Sequence, residues 1–450
     1  MRDIIKVTDS APEKFEFGKW NITDKYMHQI KPGEEWDIRS VNFSPNGRYF
    51  ILTHSLIPVI KVIDLETLEV YRLFDFNEDS VRLTIFPDGI NDWFLAVSWD
   101  GTIRRVNLES GRFDMIAEGL PRMPATSYIN RNGRELVFTI SYDKEHNPFS
   151  GNCGRAWLMS DYSLVAEYPH GKRQSLSAPC GDILPDPILD CVFTGSDDGQ
   201  IIKWSTDGTM LMNYALPEPR GGVRKMAISK KWLVAALSNS HVAVFNKHKP
   251  GPVFYYRGME QDRSAEILDV RISADEKAVF SCNGRGIISK KDLVTGKTIY
   301  ASHYFDWSWS CKILPGDQLL AVSYENDGLV DFVDTGDLSL KCRFYNYPGK
   351  DLMFEVPPNA LYKNGFFYTN NPEKVKIVDR ADSAKEVPAQ QMVAYFNMLN
   401  LKSAVVLLLK NRHALERVMA GLGRSRSMLG DPRNIKLLGG PTDQEPKDEK

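Results

Sequence analysis

Arginine returns at one station along the chain, at Arg39, Arg82, Arg122, Arg173, Arg220 with Arg224, and Arg263, and Lys350 continues the series. Guanidinium groups gathered in one place would hold carboxylate or phosphate by paired hydrogen bonds and by a focused field. Trp36, Trp307 and Trp309 fall at the same stations. Tryptophan and arginine together dominate binding hot spots. Acids lie close by at Glu34, Glu35, Asp37, Glu218 and Asp262, so structural pairing is the alternative reading of these arginines. Other reactive side chains show no comparable order. The eight histidines have no local ligand spacing, and none of the six cysteines forms a CxxC, which is the spacing a zinc ribbon, a redox dithiol or haem attachment needs. There is no Walker A sequence, HExxH, GxSxG or dinucleotide fingerprint. The expectation is therefore no catalytic residue, no metal and no cofactor. A site assembled from separate repeats is the alternative, because residues distant in sequence can converge.

The elements that carry these residues repeat. Val192 to Met212 shows the unit best, with short alternating strands separated by Asp198-Gly199 and Asp207-Gly208. Such pairs tolerate the positive φ of two-residue hairpins. Eight stretches share the same start, near Ile38, Val81, Met123, Leu176, Val223, Ile267, Ser308 and Asp351. Their period is roughly 40–45 residues, that of propeller blades built from four strands. The step from Met123 to Leu176 is longer, and the polar, turn-rich segment 143–154 reads as a loop insertion. Chain-reversing turns then recur in register, for example Pro45-Asn46-Gly47, Pro87-Asp88-Gly89 and Lys363-Asn364-Gly365.

On period and turn placement, residues 36–388 resemble the WD40 family of β-propellers. The family's turn aspartate matches Asp100, Asp198 and Asp327. Its Trp-Asp strand ending is reduced to Trp204-Ser205, and its Gly-His dipeptide is missing from all eight units. Counting starts gives an all-β, WD40-like propeller of eight blades, with seven as the alternative. The last unit lacks an outer strand, and Tyr26–Ile30 in the N-terminal segment 1–35 is expected to supply it and close the ring.

Beyond Pro388 the grammar changes to helix. Met392, Tyr395, Phe396 and Leu399 form one apolar stripe, and a second helix is expected over about 402–422. This makes residues 389–422 an α-helical extension, followed by a flexible tail over 423–450. Lys402, Lys410, Arg412, Arg417, Arg424, Arg426, Arg433 and Lys436 face only Glu416 and Asp431 over 402–436. That segment is a candidate contact for a protein partner or for a nucleic-acid backbone. The longest apolar run, 404–409, is far short of the roughly 20 residues of a membrane span, and no secretory leader is visible.

Taken together, these features predict a cytoplasmic, non-enzymatic scaffold in a larger complex. It would bind a protein partner on the propeller face through Arg39, Arg82, Arg122, Arg173, Arg220, Arg224, Arg263, Trp36, Trp307 and Trp309. Lys402, Lys410, Arg412, Arg417, Arg424 and Arg426 would make a second contact. A nucleoprotein subunit, and an enzyme with its site on the propeller axis, are the alternatives.

Overall fold

The repeat grammar becomes strand geometry at the turns. Gly47 and Gly208 adopt φ of 73° and 93°, a region open to glycine and costly for other residues. At Gly208 a Cβ would also lie 2.8 Å from the Glu167 carbonyl oxygen. The computed structural model describes residues 20–24 and 37–424. Within that span it leaves out 25–36, 77–79, 119–124, 132, 142–152, 171–180, 197–198, 218–220, 259–264, 304–305, 325–327, 358–364, 372–374 and 380–399. The chain divides into two compact units, residues 30–350 and residues 1–29 with 351–450.

The first unit is a β-propeller of seven blades. Six blades are four-stranded antiparallel sheets of strands consecutive in sequence, and the seventh is likewise four consecutive antiparallel strands, within a sheet of six. The blades cover residues 38–75, 81–117, 125–169, 182–214, 223–257, 267–302 and 308–346. Second strands such as Trp232–Leu237 and Leu319–Tyr324 are buried at all six positions, because a neighbouring blade covers each face. Fourth strands such as Met210–Tyr214 are half exposed. The core therefore lies between blades. Phe193 and Tyr214 of blade 4 pack with Val223, Leu233 and Phe245 of blade 5. Each such side chain contributes about 1.5–3 kcal/mol by leaving water. In blade 3, Arg134–Ser141 pairs directly with Cys153–Leu158, so the long segment between them is a connection within the blade. In blade 4 the Trp204 indole N–H donates to Thr194 Oγ1 at 2.7 Å, and His170 Nε2 lies 2.6 Å from the same oxygen.

The sequence count of eight blades is corrected to seven. The eighth start supplies Leu352–Val356 and Phe366–Thr369, which pair with each other in the second unit. The next strand, Val375–Asp379, pairs with Trp20–Asp24 in a separate two-stranded ladder. Unit 30–350 is complete without them, because first-strand contacts already join blade 7 to blade 1. The expected closing strand, Tyr26–Ile30, lies outside the described residues.

Closure of the ring is a side-chain matter. Phe50 of blade 1 lies 5.6 Å from Phe332 and 5.5 Å from Phe344 of blade 7, both edge-on. Lys61, buried in blade 1, donates through Nζ to the Tyr347 carbonyl oxygen at 2.6 Å. His54 completes the seam. Its Nδ1 lies 2.7 Å from the Val59 carbonyl oxygen, an acceptor, so Nδ1 carries the proton. Nε2 then accepts from Asn346 Nδ2 at 3.0 Å.

The second unit contains a helix, Lys402–Arg424, with non-helical backbone at Asn411. Asn411 Oδ1 accepts the Ala414 N–H at 3.0 Å, the cap of a second helical segment. The expected single helix over 402–422 is therefore two. Ala404, Val405, Leu408 and Leu415 are buried, and Leu401 N–H donates to the Phe367 carbonyl oxygen at 2.7 Å. The expected helix before residue 400 lies outside the described residues. No described helix is long and apolar enough to cross a membrane.

Burial, and next the nearby Lys61, hold the His54 imidazole down to about 4. The unfolded chain protonates near 6.5, so it binds more protons between these values. Stability is full above pH 6.5 and falls as the pH drops toward 4. The loss expected from this group is about 3 kcal/mol, read as a drop in the urea midpoint between pH 7 and pH 4. His54→Gln should flatten that part of the profile.

Candidate functional site

The first strands of the seven blades line a central channel of about 420 Å³. Their register places the side chains. In five first strands the ladder skips the second residue, so a bulge leaves that residue unpaired across the sheet. The skipped residues are Arg39 in Ile38–Phe43, Arg82 in Val81–Ile85, Arg224 in Val223–Ile228, Leu268 in Ile267–Ile272 and Trp309 in Ser308–Ile313. A bulge bends its strand and re-aims the side chain. All five line the channel. The arginine station of the sequence is, in three blades, this bulge.

Of the residues singled out by sequence, Arg39, Arg82, Arg224, Trp307 and Trp309 come together at the channel. Arg122, Arg173, Arg220, Arg263 and Trp36 lie outside the described residues, and Lys350 is not in the lining. The Arg39 guanidinium lies 3.6 Å over the Trp309 ring, and Arg82 lies 4.2 Å over Trp99. Trp307 is 5.7 Å from Trp309 and 39% exposed. Arg224 makes a two-pronged pair with Glu266 of the next blade, at 3.0 and 2.9 Å. Structural pairing is thus the right account of Arg224, through an acid the sequence reading did not name.

Further along the same strands lie charged residues that sequence reasoning missed. Lys225 donates to Asp182 at 2.8 Å, and the second oxygen of Asp182 accepts the Met226 N–H at 2.8 Å. Asp269 accepts the Cys311 N–H from blade 7 at 3.0 Å and pairs with Arg271 at 2.8 Å. Asn42 donates to the Thr84 carbonyl oxygen at 2.9 Å. These are clamps between blades 4 and 5, 6 and 7, and 1 and 2. Their partners stand 42–44 residues apart, which is one repeat. Lys312 lies beside Arg271 on the neighbouring strand, and enclosure, then Arg271, pushes its ammonium down to about 7.

Of the C-terminal contacts, Lys402 Nζ lies 5.2 Å over Tyr368 within its own unit. Lys410 and Arg417 are exposed. Arg412 and Arg424 fall within the helix span, with side chains outside the described set, and Arg426 is outside altogether. Among the described residues no group of three or more His, Cys, Asp or Glu could hold a metal ion. The channel brings guanidinium groups and aromatic faces together. No model of a known family matches the chain, and no curated protein matches it either.

Asp269, itself buried, joins two blades and balances the half-buried Arg271. Asp269→Ala should lower stability by about 3 kcal/mol, the scale of a broken buried pair, measured as the urea unfolding midpoint. Asp269→Asn should recover part of the loss, because its carbonyl oxygen still accepts the Cys311 N–H.

Proposed function

We propose that the protein is a non-enzymatic, cytoplasmic scaffold of WD40-like type, which binds an acidic segment of a protein partner at the channel mouth. The observation that carries this reading is the convergence of Arg39, Arg82, Trp307 and Trp309 on one channel from three separate blades. An acidic chain meets cations fixed on indole faces there, and arginine with tryptophan is the usual anchor pair of an interface. Propellers commonly serve as interaction platforms, and function in them resides in the site rather than the fold. The buried thiols of Cys191, Cys282 and Cys311 accord with a reducing compartment. Arg224 contributes to the wall rather than to the contact, because Glu266 already occupies its fork.

Exposed Lys410 and Arg417 support the C-terminal helix as a second contact. Nucleic acid is the alternative partner for residues 402–436. In that case binding falls steeply with salt and disappears in a chain ending at Pro388.

The test is affinity purification from the native host with quantitative mass spectrometry. A partner recovered with the natural chain should be lost, at least tenfold, with Arg39→Glu/Arg82→Glu. The melting temperature should stay within several degrees, since cation–π contacts of half-buried arginines contribute about 0.5–2 kcal/mol each. Undiminished recovery by the double variant would refute the mouth as the contact.

A further inference from the structure

The wall of the central channel carries buried polar atoms left unpaired among the described residues. Thr84 and Thr126 are 7% and 6% exposed, and the side-chain oxygen of each is one of them. The Trp309 indole N–H is another. Arg271 turns its two terminal nitrogens to Asp269 and the Val270 carbonyl oxygen, and its Nε–H is left over. Buried polar atoms are nearly always hydrogen-bonded, so each exception calls for an explanation. Four exceptions around one cavity have a common one, a ligand that pairs with them.

These atoms come from opposite sides of the ring, Arg271 and Trp309 from blades 6 and 7, Thr84 and Thr126 from blades 2 and 3. Lys312 stands three residues beyond Trp309 on one strand, about 10 Å further along the channel, and beside Arg271. Among the described residues no carboxylate pairs with Lys312, whereas Asp182 holds Lys225 and Asp269 holds Arg271. Indole, guanidinium and ammonium groups donate and cannot accept. The carboxylates on the wall, Glu266 and Asp269, are already engaged. The ligand must therefore bring the acceptors. One negative charge suits Lys312, and a second would stand against Asp269. The Thr84 and Thr126 hydroxyls can donate or accept, which suits hydroxyl groups on the ligand. A cavity of about 420 Å³ is within the range of small-molecule sites.

We propose that the channel binds a small hydroxylated carboxylate, with its carboxylate at Lys312 and Arg271 Nε and its hydroxyl groups at Trp309, Thr84 and Thr126. A carboxylate offers two acceptor oxygens and a single charge, which is what that end of the channel takes. A hydroxyl oxygen further along accepts the Trp309 N–H, and others pair with the threonines across the ring. An unsubstituted fatty acid would satisfy the first end only, and a neutral polyol the second only. Neither Arg39 nor Arg82 is needed, so the site stands apart from the protein contact at the mouth.

The test is titration calorimetry on the full chain at pH 6, where the Lys312 ammonium, pushed down to about 7, is charged. Gluconate is the probe, with hexanoate lacking its hydroxyl groups and sorbitol lacking its charge. Gluconate should bind about tenfold or more tightly than either. Lys312→Met should weaken gluconate about tenfold or more, the scale of a hydrogen bond to a charged group. Lys312→Arg should keep binding, which separates lost charge from lost fold. Thr126→Val should weaken gluconate about threefold, the scale of one neutral hydrogen bond, and leave hexanoate unchanged, a split that a merely structural role would not produce. No gluconate heat at millimolar concentration, sorbitol or hexanoate equal to gluconate, or binding unchanged in Lys312→Met would overturn the proposal. So would inorganic phosphate that binds more tightly than gluconate. Partner recovery should be unaffected in Lys312→Met, so failure here is distinct from failure at the mouth.

Discussion

A ring of blades exists only if its last blade grips its first, and here each blade is made of four strands taken in unbroken order. Among the described residues of unit 30–350 no strand is shared across the junction. Packed rings do the work instead, with Phe43 and Phe50 meeting Phe332 and Phe344. Polar contacts at the seam must then be satisfied in a dry place, since an unpaired buried donor costs about 1–3 kcal/mol. His54 meets that demand by staying neutral, with one nitrogen donating and the other accepting. Lys61 meets it by reaching the Tyr347 carbonyl oxygen. The remaining structure depends on this junction, because a ring left open there would expose the buried faces of blades 7 and 1.

Once the ring is closed, seven first strands converge and their side chains crowd one axis. Two layers result. At the bulged second position the side chains turn to the mouth, as Arg39, Arg82, Arg224, Leu268 and Trp309 do. Elsewhere on these strands, at Asn42, Asp182 and Asp269, polar residues reach the next blade and serve as clamps. Asp182 and Asp269 each satisfy a backbone N–H of the following blade and a cation at once. The charge of Asp182, Lys225, Asp269 and Arg271 in this inner layer is therefore structural.

Much of this order was legible in the residues. The starts read at Ile38, Val81, Val223, Ile267 and Ser308 are the first residues of the first strands, because alternation and turn chemistry are local. The number of blades was not. Leu352–Val356 and Phe366–Thr369 obey the same grammar as any blade strand, and which sheet a strand joins is set by distant pairing. The bulges were hidden for the same reason, since a skipped residue shows only against its partner strand. The clamps did leave a trace. Asp182 with Lys225, Arg224 with Glu266 and Asn42 with Thr84 lie one repeat apart, so complementary residues at that offset would have found them.

The junctions of the ring are closed by different chemistry. Closure between blades 7 and 1 uses phenylalanines, a neutral imidazole with an amide, and a lysine on a carbonyl oxygen. Blades 4 to 6 use carboxylate clamps, which bring their own negative charge to the wall.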